Sequence, residues 1–196
     1  MKRLFDIVFC LCGLTILAPV FIIIAIIIKL SSKGPVFYIQ KRVGQYNIDF
    51  SLLKFRTMAI GADKSGLLTV GSKDSRITSV GYFLRKYKLD ELPQLINVLL
   101  GNMSLVGPRP EVRKYVDLYN QEQAEILNVK PGITDYASIE YFEENDLLAK
   151  SDNPEQTYIE KILPSKISLN KKYISKSGIM IDVKILYLTL KKILIR

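Results

Sequence analysis

The chain opens on an almost unbroken apolar run and then breaks into short, punctuated patterns. From Leu4 to Ile28 the run carries a single charge, Asp6. As one straight helix it would be about 38 Å long, enough for a ~30 Å hydrocarbon core. Lys29-Leu30-Ser31-Ser32-Lys33 follows without a small-x-small cleavage pattern, so a removable signal segment does not fit. Pro19 interrupts the run, removing a backbone donor and crowding the preceding turn. The arms on either side are about 15 and about 9 residues, and neither crosses a bilayer alone. Lys2 and Arg3 precede the run, and Lys29, Lys33, Lys41 and Arg42 follow it. Charge asymmetry orients a span, and here both flanks are basic. These residues leave a proline-kinked span and a re-entrant helix-break-helix both open.

Beyond the run, Pro35 to Ile39 and Phe50 to Phe55 read as extended segments around a turn-like Gly44-Gln45-Tyr46-Asn47, which predicts a β-hairpin. Residues 59–75, rich in Gly, Ser, Asp and Lys, read as a mobile loop. Val80 to Tyr87 reads as a short basic helix. A second helix should begin near Asp90, because Leu92, Leu95, Ile96, Leu99 and Leu100 keep helical spacing. Gly101-Asn102 ends it. Gly107-Pro108-Arg109-Pro110 must be a stiff non-helical turn, since each proline pushes its predecessor towards extended geometry. Glu111 to Leu127 reads as a further helix, residues 140–155 as an acidic loop, and Gly178 to Arg196 as a helix that lies on a membrane surface or packs with solvated lysines. The pattern adds up to a helix-dominated α+β chain with a membrane anchor, a small globular domain carrying a β-hairpin, and amphipathic surface helices.

Composition narrows the chemistry. The net charge of +9 fits an anionic partner: nucleic acid, anionic lipid or a phosphate-bearing substrate. There is no histidine, so the commonest general base and zinc ligand are missing. The two cysteines, Cys10 and Cys12, lie inside the apolar run without metal-ligand spacing and read as embedded apolar residues.

The sharpest candidate is Lys88-Leu89-Asp90-Glu91-Leu92-Pro93-Gln94-Leu95. An acid at an N-cap, another in the first turn and an early proline also describe an ordinary helix start. The functional reading divides the two carboxylates: one attacks phosphorus, and the other holds Mg2+, an ion usually bound by one or two carboxylates plus substrate phosphates. Lys41, Arg42, Lys54, Arg56, Arg85, Lys86, Lys88 and Arg109 surround the pair in sequence, and phosphoryl transfer is mostly positioning and charge neutralisation.

These residues also form a pattern. Gln40-Lys41-Arg42-Val43-Gly44, Lys54-Phe55-Arg56-Thr57-Met58, Asp74-Ser75-Arg76-Ile77-Thr78 and Gly81-Tyr82-Phe83-Leu84-Arg85-Lys86 stand in order. Leu89-Asp90-Glu91-Leu92-Pro93-Gln94-Leu95-Ile96-Asn97-Val98-Leu99 follows, then Gly101 to Glu111 with its Pro-Arg-Pro, then Lys130-Pro131-Gly132-Ile133-Thr134. The chain resembles, over nearly its whole length, the bacterial sugar transferase family, the monotopic polyprenyl phosphate phosphoglycosyl transferases. The resemblance implies that Asp90 attacks the β-phosphate of a UDP-sugar, releasing UMP and leaving a covalent phosphosugar. Undecaprenyl phosphate then takes the phosphosugar, the first step of a bacterial glycoconjugate. It implies Asp90 and Glu91 as catalytic residues, with Glu91 on Mg2+. Arg109, Pro108 and Pro110 would shape the nucleotide side, and Lys54, Arg56 and Arg85 would lie at the substrate. It implies a re-entrant helix over residues 1–33 and a membrane-associated catalytic domain over 34–196 on the cytoplasmic face of the inner membrane. Membrane lipid is then a partner, nucleic acid is not, and a homodimer stays open.

Two positions depart from the family pattern. Ala18-Pro19 stands where the family has Ser-Pro, and Asp135-Tyr136-Ala137-Ser138 where it has Gly-Trp-Ala-Gln. No arginine follows near Phe142. Acids there lead us to expect a different sugar, one bearing an amino group. Two other classes meet the bulk numbers: a non-catalytic membrane-surface protein and a nucleic-acid binder. The scattered tyrosines argue against the second, which needs aromatics interleaved with its basic stripe. The sequence names neither the sugar nor the destination, whether capsule, lipopolysaccharide, exopolysaccharide or glycosylated protein.

Overall fold

The computed structural model describes residues 1–62, 66, 68–71 and 74–195. The fold is α+β and dominated by helices, as the pattern predicts. Helix α1 (Lys2–Ser31) continues through Pro19, so the expected break does not separate two helices. The cost is local: proline cannot donate to the carbonyl one turn back. Most of α1 is uncovered, with Leu4, Ile16, Ile22 and Leu30 all exposed. Its buried residues are Asp6, Cys10, Ile24 and Ile28, two near each end.

Both ends of α1 are fastened to the same globular body. At the start, Lys2 Nζ donates to the Val106 carbonyl at 3.1 Å and pairs with the fully buried Asp182. That pairing offsets the poor placement of a cation in a first helical turn. Arg3 Nη2 donates to the Leu99 carbonyl at 2.9 Å, and Asp6 accepts from the Leu105 amide at 3.2 Å. At the other end, Ile24 and Ile28 pack against Phe55 and Leu84.

Strands β1 (Phe37–Val43) and β2 (Asp49–Phe55) form the expected antiparallel hairpin, from Phe37 opposite Phe55 to Val43 opposite Asp49. Tyr46 and Asn47 turn it with φ of 57° and 62°. Helix α2 (Ser79–Lys86) and helix α3 (Gln94–Leu100) follow, joined by a 3-10 turn, Leu89–Glu91. The buried Asn97 of α3 clamps β2, accepting from the Leu53 amide at 2.9 Å and donating to the Ser51 carbonyl at 2.8 Å. Gly101 closes α3 at φ 90°, the left-handed stop that glycine favours. Strand β3 (Ser104–Val106) pairs in parallel with β4 (Gly132–Thr134). Between them Gly107 and Gly132 touch backbone to backbone: a Cβ on Gly132 would sit 2.1 Å from the Gly107 nitrogen.

Two further readings change. The helix expected over Glu111 to Leu127 is broken into α4 (Arg113–Val116), α5 (Gln121–Ala124) and a 3-10 turn, Glu125–Asn128. Asn120 causes the restart, because it caps α5 in a reciprocal box with Gln123. The acidic stretch is not all loop: it holds the end of α6 (Tyr136–Glu140) and all of α7 (Glu144–Leu148), and Glu144 pairs with Lys166 at 3.0 Å. Within 59–75, residues 63–65, 67, 72 and 73 lie outside the described residues. The rest is tethered by Arg76, which donates to the carbonyls of Ala62, Gly66 and Leu68 and pairs with Asp74.

The last two residues of the expected acidic loop and the unassigned residues after them form α8 (Pro154–Thr157), a π-helical turn (Tyr158–Ile162) and α9 (Leu163–Ser175), one nearly continuous rod. Its buried residues build a cluster with Val112, Tyr115, Ile126 and Leu148. Helix α10 (Ile179–Leu194) closes the described chain as expected. It buries Asp182 and Ile185 and exposes Met180, Val183, Tyr187, Leu190 and Leu194.

Candidate active site

The site is built where α2 turns into α3. Thr78 caps α2, its hydroxyl accepting from the Gly81 amide at 2.9 Å. Gly81 lets α2 lie directly on the chain after β2: a Cβ there would sit 2.0 Å from the Thr57 carbonyl oxygen. After α2, Lys88 adopts φ 55°, a left-handed conformation that costs an L-residue about 1–2 kcal/mol. That turn throws Asp90 and Glu91 into their own 3-10 turn. The helix expected near Asp90 therefore begins later, at Gln94, and no side chain caps it. Asp90 is not a cap.

Asp90 is 6% exposed, and its Oδ1 has no hydrogen-bond partner among the described residues. Burial pushes its carboxyl above the ordinary range, and the charge of Glu91 pushes the same way, against Lys54, Arg85 and Lys88. Glu91 behaves oppositely. Burial disfavours its charge, yet Arg109, Lys54 and Lys88 outweigh that and hold its carboxyl far below the usual value. Arg109 grips it with both terminal nitrogens, one at 2.9 Å. Two adjacent carboxylates thus have opposite characters: one ion-paired and firmly ionised, one desolvated with an open oxygen.

A cleft of about 310 Å³ opens over Asp90. Lys54, from β2, lines it; burial lowers its ammonium to about 8, opposed by Glu91 and reinforced by Arg109 and Arg42. Arg85 lines it as well, with Nη2 on the Thr69 hydroxyl at 3.3 Å and a buried Nη1 without a partner among the described residues. The expected group Asp90, Lys54 and Arg85 is therefore brought together. Arg56 reaches the same cleft wall, but its nitrogens donate to the carbonyls of Pro35, Lys33 and Ser32 at 2.7, 2.8 and 3.0 Å. Its bonds fasten the exit of α1. Arg109 is spent on Glu91 and the Ile133 carbonyl. Pro108 and Pro110 do not line the cleft; their carbonyls accept from the Gly132 amide and from Arg42. The Pro-Arg-Pro turn holds Glu91 from behind.

Two cleft arginines were not assigned to the substrate: Arg42, counted only among the charges around the dyad, and Arg76. Arg42 lies on the wall with Tyr38 and Gln40, at every second position of β1, so strand alternation was a usable signal. Arg76 also lines the cleft and bonds the loop beside it; its place in the Asp74-Ser75-Arg76-Ile77-Thr78 block was the hint.

Asp135 is fully buried and caps α6, accepting from the Ser138 amide at 2.5 Å and the Arg109 amide at 3.1 Å. It positions the Arg109 backbone and has no surface to offer an amino sugar. The donors for Mg2+ are oxygens only, which suits that ion. No group of three or more candidate metal-ligating side chains occurs among the described residues. The fit is that of one carboxylate completed by substrate phosphates: each Glu91 oxygen takes a single Arg109 hydrogen and keeps a lone pair for a cation.

The family model described as bacterial sugar transferase matches residues 1–196. The chain is 36% identical to a UDP-N-acetylgalactosamine-undecaprenyl-phosphate N-acetylgalactosaminephosphotransferase of Aeromonas hydrophila, over 98% of this chain and 43% of that protein. It is 38% identical to the uncharacterized sugar transferase EpsL of Bacillus subtilis, over 100% of this chain and 88% of the relative. It is 37% identical to the UDP-glucose:undecaprenyl-phosphate glucose-1-phosphate transferase of Escherichia coli K12, over 98% of this chain and 40% of the relative. The chain thus spans less than half the length of the Aeromonas and Escherichia relatives.

The Glu91–Arg109 pair sets a stability prediction. Glu91's value when folded lies below the ordinary 4.5, so its stabilisation is complete above that pH and is lost only in stronger acid. Arg109→Ala leaves a buried uncompensated carboxylate and should cost about 3 kcal/mol at pH 7. Denaturant unfolding followed by circular dichroism should show the deficit shrinking at pH 4, where Glu91 of the variant takes up a proton.

Proposed function

The chain belongs to the bacterial sugar transferase family, and from that footing we propose that it transfers a phosphosugar from a UDP-sugar to undecaprenyl phosphate and releases UMP. The carrying observation is Asp90: a buried carboxylate with an open oxygen, facing a cleft lined by Lys54 and Arg85. A desolvated carboxylate is a stronger nucleophile than a hydrated one, provided nearby cations receive the phosphate charge. The Aeromonas and Escherichia relatives are named for the same class of reaction.

In the proposed chemistry an Asp90 oxygen bonds to the β-phosphorus. The bond from that phosphorus to the bridging oxygen breaks, and UMP departs with the electron pair. A phosphate oxygen of the polyprenyl acceptor then bonds to the same phosphorus, and the aspartyl oxygen leaves, restoring the carboxylate. Lys54 and Arg85 hold the transferred phosphoryl oxygens. Arg109 fixes Glu91, so that Asp90 stays the open member of the pair. Mg2+, with Glu91 as its protein ligand, would supply further neutralisation of the diphosphate. Hydrolytic loss of the phosphosugar is opposed by the burial of Asp90.

The same reading makes the protein monotopic on the cytoplasmic face of the inner membrane. Support comes from α1, whose two ends are both bonded to one globular body: Lys2, Arg3 and Asp6 at the start, Ile24 and Ile28 at the end. A straight crossing would carry those ends about 30 Å apart on opposite sides of the hydrocarbon. The exposed stripe of α10, flanked by Lys184, Lys191 and Lys192, suits a second contact with anionic lipid.

Purified protein mixed with a panel of UDP-sugars and Mg2+ should release at most one equivalent of UMP until undecaprenyl phosphate is added, and then turn over. Asp90→Asn should release none; wild-type rates from that variant would exclude it as nucleophile. For topology, single cysteines at Leu4 and Lys33, in a chain with Cys10→Ser and Cys12→Ser, should react with an impermeant maleimide in inverted vesicles and not in spheroplasts. Labelling on opposite sides would contradict the monotopic arrangement.

A further inference from the structure

The proposed reaction gives the cleft two substrates of different character. One is a soluble nucleotide sugar, and the other is a phosphate on a long apolar tail. Cations serve both. Only the second gives exposed apolar side chains at a cationic cleft something to hold, and the cleft has Phe37 and Ile60. Apolar residues scattered singly over a surface need no partner. These two share the cleft with a buried arginine, Arg56, beside the exit of α1.

Gly34 brings Ile60 and Arg56 together. It follows α1 at φ 126°, and a Cβ on it would sit 2.7 Å from Ile60 Cδ1 and 3.2 Å from Arg56 Nη1. A residue without a side chain lets both close on the chain at that point. Phe37 stands opposite Phe55 in the hairpin, and the two rings stack with centroids 5.5 Å apart. Phe55 in turn meets Phe21 of α1 at 5.2 Å. Beyond Pro19, α1 exposes Ile22, Ile23, Ile26 and Ile27. Apolar side chains thus extend from the second half of α1 to the edge of the cleft.

Arg56 supplies the charge. It is 6% exposed, yet its acceptors are the neutral carbonyls of Pro35, Lys33 and Ser32, and no carboxylate pairs with it among the described residues. A guanidinium has five N–H hydrogens. Three are used, which leaves one on each terminal nitrogen. By contrast, Arg42 is paired with Glu111 and Arg76 with Asp74. A buried charge without a counter-ion is costly, and a guanidinium suits phosphate. A cation in want of an anion therefore lies beside two apolar side chains in want of cover.

We propose that Arg56, Phe37 and Ile60 form the acceptor subsite: the guanidinium takes the phosphate of the polyprenyl acceptor, and the two apolar side chains take the isoprene units next to it. This assignment rests on the transferase reading. It gives Arg56 a second task besides fastening the exit of α1.

The test uses the full chain in phosphatidylcholine nanodiscs, with geranyl phosphate and the tail-less methyl phosphate as probes. The wild type should prefer geranyl phosphate. Phe37→Ala and Ile60→Ala should each weaken geranyl phosphate about fivefold, the worth of a lost apolar contact, and methyl phosphate much less. Arg56→Gln should weaken both about tenfold, as loss of a charge-assisted hydrogen bond does. In turnover, Phe37→Ala should raise the KM for undecaprenyl phosphate more than the KM for the UDP-sugar. Alanine variants that keep the wild-type preference for the tail would overturn the subsite, as would a folded Arg56→Gln chain that binds both probes normally. Displacement of geranyl phosphate by phosphatidylglycerol placed in the disc would give the site to bulk lipid and overturn it too. If Arg56→Gln fails to fold by circular dichroism, the tail preference of the two alanine variants decides. A wild-type chain that shows the tail preference but releases no UMP from any UDP-sugar would instead overturn the transferase reading beneath it.

Discussion

The site depends on one ion pair, Glu91 with Arg109. It joins the turn after α2 to the turn after β3, and it fixes one of two adjacent carboxylates in place beside the other. Everything that places Arg109 therefore acts on Asp90. The Gly107–Gly132 contact lets β3 and β4 lie close enough to present the Pro-Arg-Pro turn. Asp135 takes the Arg109 amide, and the Ile133 carbonyl takes one guanidinium nitrogen. With Glu91 held by Arg109, Asp90 is the carboxylate with a buried oxygen open to the cleft. Its burial would be costly without Lys54, Arg85 and Lys88 nearby.

The second constraint is the path of α1. A long apolar helix whose two ends are bonded to one body cannot stand free of it. The exit of α1 is tied by Arg56 beside the hairpin wall, and the cleft opens at that wall. The exit of the apolar helix and the cleft thus share a boundary, as the proposed reaction of a soluble with a lipid-borne substrate requires. Lys2 and Asp182 connect the start of α1 to α10, whose outer stripe is apolar.

Much of this was legible in the residues. The hairpin, α2, the glycine stop of α3 and the rigid Pro-Arg-Pro turn all follow from local chemistry, and the structure has each of them. Local chemistry failed where a side chain answers to a distant partner. Asp90 reads as a helix cap until Lys88 is seen in a left-handed conformation. The sequence shows the charges of Arg56 and Arg109 but not the carbonyls and carboxylate they meet in the fold. Asp135 reads as a specificity change because its two amide donors come from elsewhere in the fold or from the next turn. The helix over Glu111 to Leu127 misled for the opposite reason: its apolar spacing is helical, and the Asn120–Gln123 capping box restarts it regardless. Arg42 was visible in a motif, but its place on the cleft wall needed the pairing of β1 with β2.

The central claim is that an acyl phosphate forms on the open carboxylate of this pair. Intact-mass measurement after a UDP-sugar and Mg2+ are supplied without any lipid acceptor tests it most directly. The account predicts a protein heavier by one sugar phosphate, with the added mass on the peptide containing Asp90 and gone once undecaprenyl phosphate is added. An unmodified protein that nevertheless makes lipid-linked product under the same conditions would contradict it.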